Sequence, residues 1–217
     1  MSDKSNKYGY VGVDIPAQSF GSNKGVFNPA EINDLVANNQ WTTFGQLELI
    51  ETKTYSSAIA NIDFTDIKEN IYNVHFLTYN NVQGSGGASL DLCVRFYANG
   101  GWISGPPYYQ KAFQYGNTGG TFGEDKSTGD TTILSIAGNY QNAVANGYLY
   151  LYNLGDSSKY SFATSHSFFT HPTAGAYMKF GSAVLPQTNQ VTGIRFLNDN
   201  ADNFSAYDIS LYGIRYS

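Results

Sequence analysis

From Gln46 to the end of the chain, apolar and polar residues alternate in short runs separated by turn residues. In SLDLCVRFYA, Leu90, Leu92, Val94 and Phe96 fall on one side and Asp91, Cys93, Arg95 and Tyr97 on the other. That period of two is what a half-buried strand produces. GYLYLYN repeats it, with Leu149 and Leu151 against Tyr148, Tyr150 and Tyr152, and SAYDISLYGIRYS sets Tyr207, Ile209 and Leu211 against Ala206, Asp208 and Ser210. Similar runs begin at Gln46, Ser57, Ile71, Thr131, Lys159, Ala176 and Gln190, and a weaker one surrounds YYQKAFQYG, about eleven strands in all. The connectors NNVQGSGGAS, GNTGGTFGEDKSTGD, NLGDSS and NDNADN read as loops, and FTDIKEN as a single helical turn. Many short strands with polar turns and hardly any helix predict an all-β protein, an antiparallel jelly-roll-like β-sandwich over residues 46–217.

Residues 1–45 carry a different pattern. In NPAEINDLVANNQW, Asn28 is placed to cap a helix, Pro29 occupies its first position and Glu31 follows three residues after the cap. Ile32, Leu35 and Val36 then form one apolar stripe, and Asn38 and Asn39 mark the end. A helix this short is marginal alone in water, so its stripe needs cover, from the sandwich's own edge or from another subunit. Upstream, KYGYVGVDIPAQSFGSNKG has no helical period, yet it carries Tyr8, Tyr10, Val11, Val13, Ile15 and Phe20. An extended arm of this kind can fold onto a partner and lay its apolar residues there. Tyr10, Val13, Ile15, Phe20, Ile32, Leu35 and Val36 are therefore the candidate docking residues of an anchoring segment.

Composition narrows the function. The chain has 217 residues, 13% of them charged, with 18 Tyr and 14 Phe, which is a folded composition with a tyrosine- and amide-rich surface. Twelve Lys and Arg against 17 Asp and Glu leave a net charge of −5 without any basic run, which argues against a nucleic-acid partner. MSDKSNKYGYVG lacks the apolar core of an export signal, and no run of about 18 apolar residues predicts a membrane span, so synthesis in a cytoplasm is expected.

Candidate chemistry is sparse. Cys93, the lone cysteine, lies in a strand pattern and reads as a small buried residue. His75 reads as an ordinary strand histidine, and His166 and His171 lack the HExxH spacing of a zinc site. Neither a nucleophile elbow nor a phosphate-binding GK[ST] motif occurs. Glu124 with Asp125, and Asp199 with Asp202, are the carboxylate pairs a glycan depolymerase would need, though nothing aims either pair into a cleft. NDNADN also offers oxygen ligands for calcium near residues 198–203, but turn formation explains it better. No catalytic residue, metal or cofactor is therefore expected. In ANGGWISGPPYYQ, Trp102, Tyr108 and Tyr109 surround a Gly-Pro-Pro turn, where aromatic rings suit either a glycan or a protein neighbour.

GVFNPAEINDLVANNQW followed by LELIET, and the ending VTGIRFLNDNADNFSAYDISLYGIRYS, resemble virion structural proteins of tailed phages that infect marine bacteria, cyanobacteria especially. The matching pieces are the leader residues Gly25, Val26 and Phe27 and the strand Leu211 to Ile214. The resemblance implies a fibre or a head or tail decoration on the virion surface, assembled in the host cytoplasm. It adds Val26 and Phe27 to the docking set and implies a symmetric homo-oligomer, for which a trimer is usual. Other virion proteins would be the partners. A glycan-binding host-recognition module is the alternative, and a glycan depolymerase the third reading.

Overall fold

The computed structural model describes residues 27, 29–38, 47–86, 91–106, 109–138, 143–171, 175–199 and 202–214. The chain divides into two units, Met1–Phe44 with Ser217, and Gly45–Tyr216. In the first, Pro29–Ala37 forms helix α1. Pro29 opens it at the position where a missing N–H costs nothing. Asn38 closes it by donating both its backbone N–H and its Nδ2 to the Asp34 carbonyl, at 3.0 and 2.8 Å. Of the predicted stripe, Ile32 and Leu35 are half-buried and Val36 is 58% exposed. Phe27 is half-buried, while Tyr10, Val13, Ile15, Phe20, Val26 and the Asn28 cap lie outside the described residues.

The second unit is built from strands. β1 (Leu47–Thr54), β2 (Asn61–Phe64), β3 (Val74–Gly84) and β4 (Asp91–Ala98) come first. β5 (Gly101–Trp102), β6 (Tyr109–Asn117), β7 (Phe122–Asp130) and β8 (Ile133–Gly138) follow. β9 (Ala145–Tyr152), β10 (Ser161–His171), β11 (Gly175–Leu185), β12 (Gly193–Asn198) and β13 (Phe204–Ile214) complete the chain.

The pairing β1·β13, β2·β12, β3·β9 and β4·β8 is that of one long hairpin, its first arm running forward and its second running back. Rolling that hairpin over brings β13 beside β3 and β12 beside β4. Two antiparallel four-stranded layers result, β1-β13-β3-β9 and β2-β12-β4-β8, which is a jelly roll. Two insertions, β5–β7 and β10–β11, enlarge it. β10, β11, β6 and β7 add to β9 in that order, so the large sheet has eight strands, while β5 shares the free edge of β4 with β8.

Between the layers, Leu77, Leu149, Leu151, Ile209 and Leu211 of the large sheet share one buried cluster with Phe64, Leu92, Val94, Phe96, Ile194 and Phe196 of the small one. Each such side chain contributes about 1.5–3 kcal/mol on burial. Cys93 is buried as well.

Two local expectations are corrected, and one short strand is added. FTDIKEN is a turn rather than a helical turn: Lys68 sits at φ 57°, and its carbonyl accepts the N–H groups of Ile71 and Tyr72. Most of GNTGGTFGEDKSTGD is not loop but strand β7, paired with β6. The two-residue β5 follows an Asn99-Gly100 turn with both residues at positive φ, the geometry that matches strand twist in tight hairpins.

Candidate contact surface on the large sheet

On the outer face of the large sheet, cross-strand register lines up aromatic side chains. Tyr212 lies opposite Phe76 and Phe76 opposite Tyr150, with ring centroids 6.1 and 4.7 Å apart. The neighbouring row runs Tyr148, His166, Phe180 across β9, β10 and β11, at 5.8 and 6.2 Å. Phe76 also touches Tyr148, at 5.9 Å, which joins the rows into a chain of rings crossing five strands. Beyond it, Phe168 lies opposite Met178, Met178 opposite Gly116, and Gly116 opposite Phe122. Phe122 is 77% exposed, Phe168 56% and Phe180 43%.

The four added strands have a mixed inner face. Tyr109, Phe113, Phe169 and Leu185 join the core there, but Lys111, Lys179, Ser165 and Ser167 are interleaved with them, where the jelly roll proper carries mostly leucine. Lys111 Nζ lies 2.9 Å from Asp125 Oδ1 and 3.2 Å from Asp130 Oδ2, and Lys179 Nζ donates to Asp125 Oδ2 at 2.7 Å. The two lysine side chains are only 5% and 6% exposed. Ser165 and Ser167 are buried beside them on β10, and Ser167 Oγ donates to the Lys179 carbonyl at 3.1 Å.

Burial works to raise the Asp125 carboxyl, but the hydrogen bonds from Lys179 and Lys111 outweigh it and hold the pKa below the usual carboxylate value. Burial likewise works to lower Lys111, and Asp125 with Asp130 reverses that and raises it. For Lys179 burial wins and pushes the ammonium down. The cluster is a structural knot tying β6, β7 and β11 together.

The candidate residues read from the sequence fall apart in space. Tyr109 is fully buried, its Oη accepting the Phe96 N–H at 2.8 Å, so its place in a glycan-contact set is corrected: the ring has no free face. Burial also raises its phenol well above the ordinary range. Tyr108 lies outside the described residues. Trp102 is half-buried, and one ring face is covered by the Arg195 guanidinium at 4.1 Å, which in turn forms a two-pronged pair with Asp63 at 2.7 and 2.6 Å.

Glu124 and Asp125 point to opposite faces of β7, the first pairing with Lys126 and the second with the two buried lysines. Asp199 Oδ1 accepts the Asp91 N–H at 3.1 Å, and Asn198 Nδ2 donates to the Asp202 carbonyl at 2.9 Å, so the described side chains of NDNADN are engaged in protein hydrogen bonds. Among the described residues no group of three His, Cys, Asp or Glu is placed to hold a metal ion. His75 is buried with Nε2 donating to the Ile67 carbonyl at 2.7 Å, and burial lowers its pKa.

Sequence reasoning missed the outer face of β10 and β11 as a site. Its signal was present in SFATSHS: the small Ser161, Ala163, Ser165 and Ser167 are buried, whereas Phe162 and His166 are exposed, as is Phe168 after them, and only at Phe169 does a large residue return to the core. Small-in and large-out is the reverse of a strand whose large residues supply the core.

Comparisons with known protein families, with characterised proteins and with solved structures find no match.

Proposed function

We propose that this chain is a non-enzymatic structural component of a tailed-phage virion, docked by its N-terminal segment and exposing the jelly roll as a fibre or decoration. The observation that carries the reading is the exposed aromatic outer face of the large sheet. Soluble domains rarely leave contiguous apolar patches in water unless the patch is a contact surface. Here Phe122, Phe162, Phe168 and Phe180 stand exposed on that face while Lys111 and Lys179 of the same strands are nearly buried. The engagement of Asp125, Glu124 and Asp199 in structural contacts supports a role in architecture rather than hydrolysis. The resemblance at both chain ends supplies the particle, its homo-oligomeric state and the docking role of Phe27, while the apolar stripe of α1 supplies that of Ile32, Leu35 and Val36.

A second reading, a glycan-binding host-recognition module, draws on the same face, because its rings stand among amides and hydroxyls. Assembly tests the first. Particles produced with the full chain are expected to carry the protein, and particles produced with a chain lacking residues 1–45 are expected to lack it, as read by antibody labelling in electron microscopy. Incorporation of the shortened chain sinks the docking role, and absence of the full chain from particles sinks the virion reading.

A further inference from the structure

Along β6 the outer face of the large sheet sinks into a trough. Its floor is Gln110, Ala112 and Gln114, alternate residues of one strand spanning about 13 Å, and the Phe122 ring lies over Gly116 at one end. Phe162, Phe180 and Met178 form one wall, and Phe122, Glu124 and Lys126 the other. The stretch between Phe122 and Phe180 encloses 540 Å³. A second, of 310 Å³, shares Gln114, Glu124 and Phe180 with it, and a third, of 350 Å³, adjoins the second at Ala112, so the three lie in a row along β6.

We propose that this trough binds a neutral, linear polysaccharide lying along β6. The proposal rests on reading this face as the contact surface, and it names the partner.

Shape favours a chain, because the depression is long and open rather than a closed cavity. Charge favours a neutral one. Glu124 and Lys126 pair with each other on the wall, and two lysines balance two aspartates on the opposite side of the sheet. With a net charge of −5 on the whole chain, nothing here attracts an acidic polymer.

Hydrogen bonding separates sugar from peptide. An extended peptide gains affinity by adding to a strand edge. Both edges of β6 are already paired, to β7 and to β11, so the floor has no main-chain groups to offer a strand. What it offers is side chain. The Gln110 and Gln114 amides, each able to donate and accept, have no protein partner among the described residues. A pyranose chain presents what such a trough takes: C–H faces to lie against Phe122, Phe180 and Phe162, and hydroxyls to meet the amides. Apolar lining with a few placed polar groups is the usual make-up of a binding site.

The test is calorimetry on the full-length chain with linear hexasaccharides: β-1,4-glucan, β-1,3-glucan, β-1,4-mannan and agarose-type galactan, with an alginate hexasaccharide as the acidic comparison. Binding of at least one neutral hexasaccharide is expected, little changed by salt. Phe180→Ala and Gln114→Ala should each weaken it about tenfold or more, and Trp102→Ala should leave it unchanged. Phe180 and Gln114 both project from the outer face, so neither change opens the core, and an unaltered melting curve confirms that each variant folds. Binding by none of the neutral chains, binding of alginate alone, or binding indifferent to both substitutions overturns the proposal. So does an oligomer that Phe180→Ala dissociates in sedimentation, because a second copy would then fill the trough. A chain found in particles that binds no glycan loses this site and keeps the virion reading, and the converse result does the reverse.

Discussion

Asp125 shows how much depends on which way one side chain points. Its carboxylate is the anion between two nearly buried ammonium groups, with Asp130 reaching only Lys111. Asp125→Asn keeps the shape and removes the charge, which takes from Lys179 the carboxylate its Nζ meets at 2.7 Å. Breaking such a pair from one side costs about 3–5 kcal/mol, and the lower end applies because Asp125 itself is part-exposed. Urea unfolding at pH 7 is expected to show a loss of about 3 kcal/mol. The pH dependence has a definite sign. Asp125 has a folded pKa below its unfolded value, so its contribution is complete above about pH 4 and is lost as pH falls through the folded value. The gap between wild type and variant should therefore narrow on acidification below about pH 4. A gap that stays constant to pH 2 assigns the loss to packing instead. The sequence placed Glu124 and Asp125 side by side as a candidate acid pair. Neighbours along a strand face opposite ways, so recognition of β7 as a strand would have separated them at once.

At the scale of elements, the two strands that escaped sequence reading did so for different reasons. β5 is two residues long, too short for a period of two to register, and exists because Asn99-Gly100 makes the turn. β7, FGEDKSTGD, has low strand propensity and two glycines, and its identity comes from tertiary partners: β6 beside it and the Lys111–Asp125 pair across it. Edge strands commonly carry such charge, since it discourages pairing with other chains.

The added strands also pack closely enough to be tested alone. A Cβ on Gly181 would stand 2.3 Å from the Ala112 carbonyl oxygen and 2.6 Å from Phe113 Cα, both backbone atoms of β6 that cannot swing aside. Gly181→Ala is therefore expected to force β11 and β6 apart at a cost of about 1–3 kcal/mol. Hydrogen exchange should locate the damage, with amides of β6 and β7 losing protection while those of β1 and β13 keep theirs. Equal loss in both regions would show that the extension and the jelly roll unfold as one.

At the scale of the molecule, alternation told inside from outside but not order. The faces of β4, β9 and β13 follow the sequence pattern, whereas the pairing of β1 with β13 joins segments at opposite ends of the second unit, and no local pattern encodes that. The jelly roll was legible as a class, from strand number and turn composition, and its two insertions were not.

The division between arm and sandwich leads to the last prediction. Among the described residues every member of the buried cluster lies between Ile62 and Leu211, and α1 has no buried residue. Since burial of apolar surface dominates stability, a chain lacking residues 1–45 should unfold in urea with the same midpoint as the jelly-roll transition of the full chain. The slope should match as well, because it follows the surface exposed on unfolding. A lower midpoint with an unchanged slope would mean that the segment holds the sandwich together, and a docking role would then be indistinguishable from a folding one. An unchanged midpoint makes failure of the shortened chain to enter particles a statement about attachment alone.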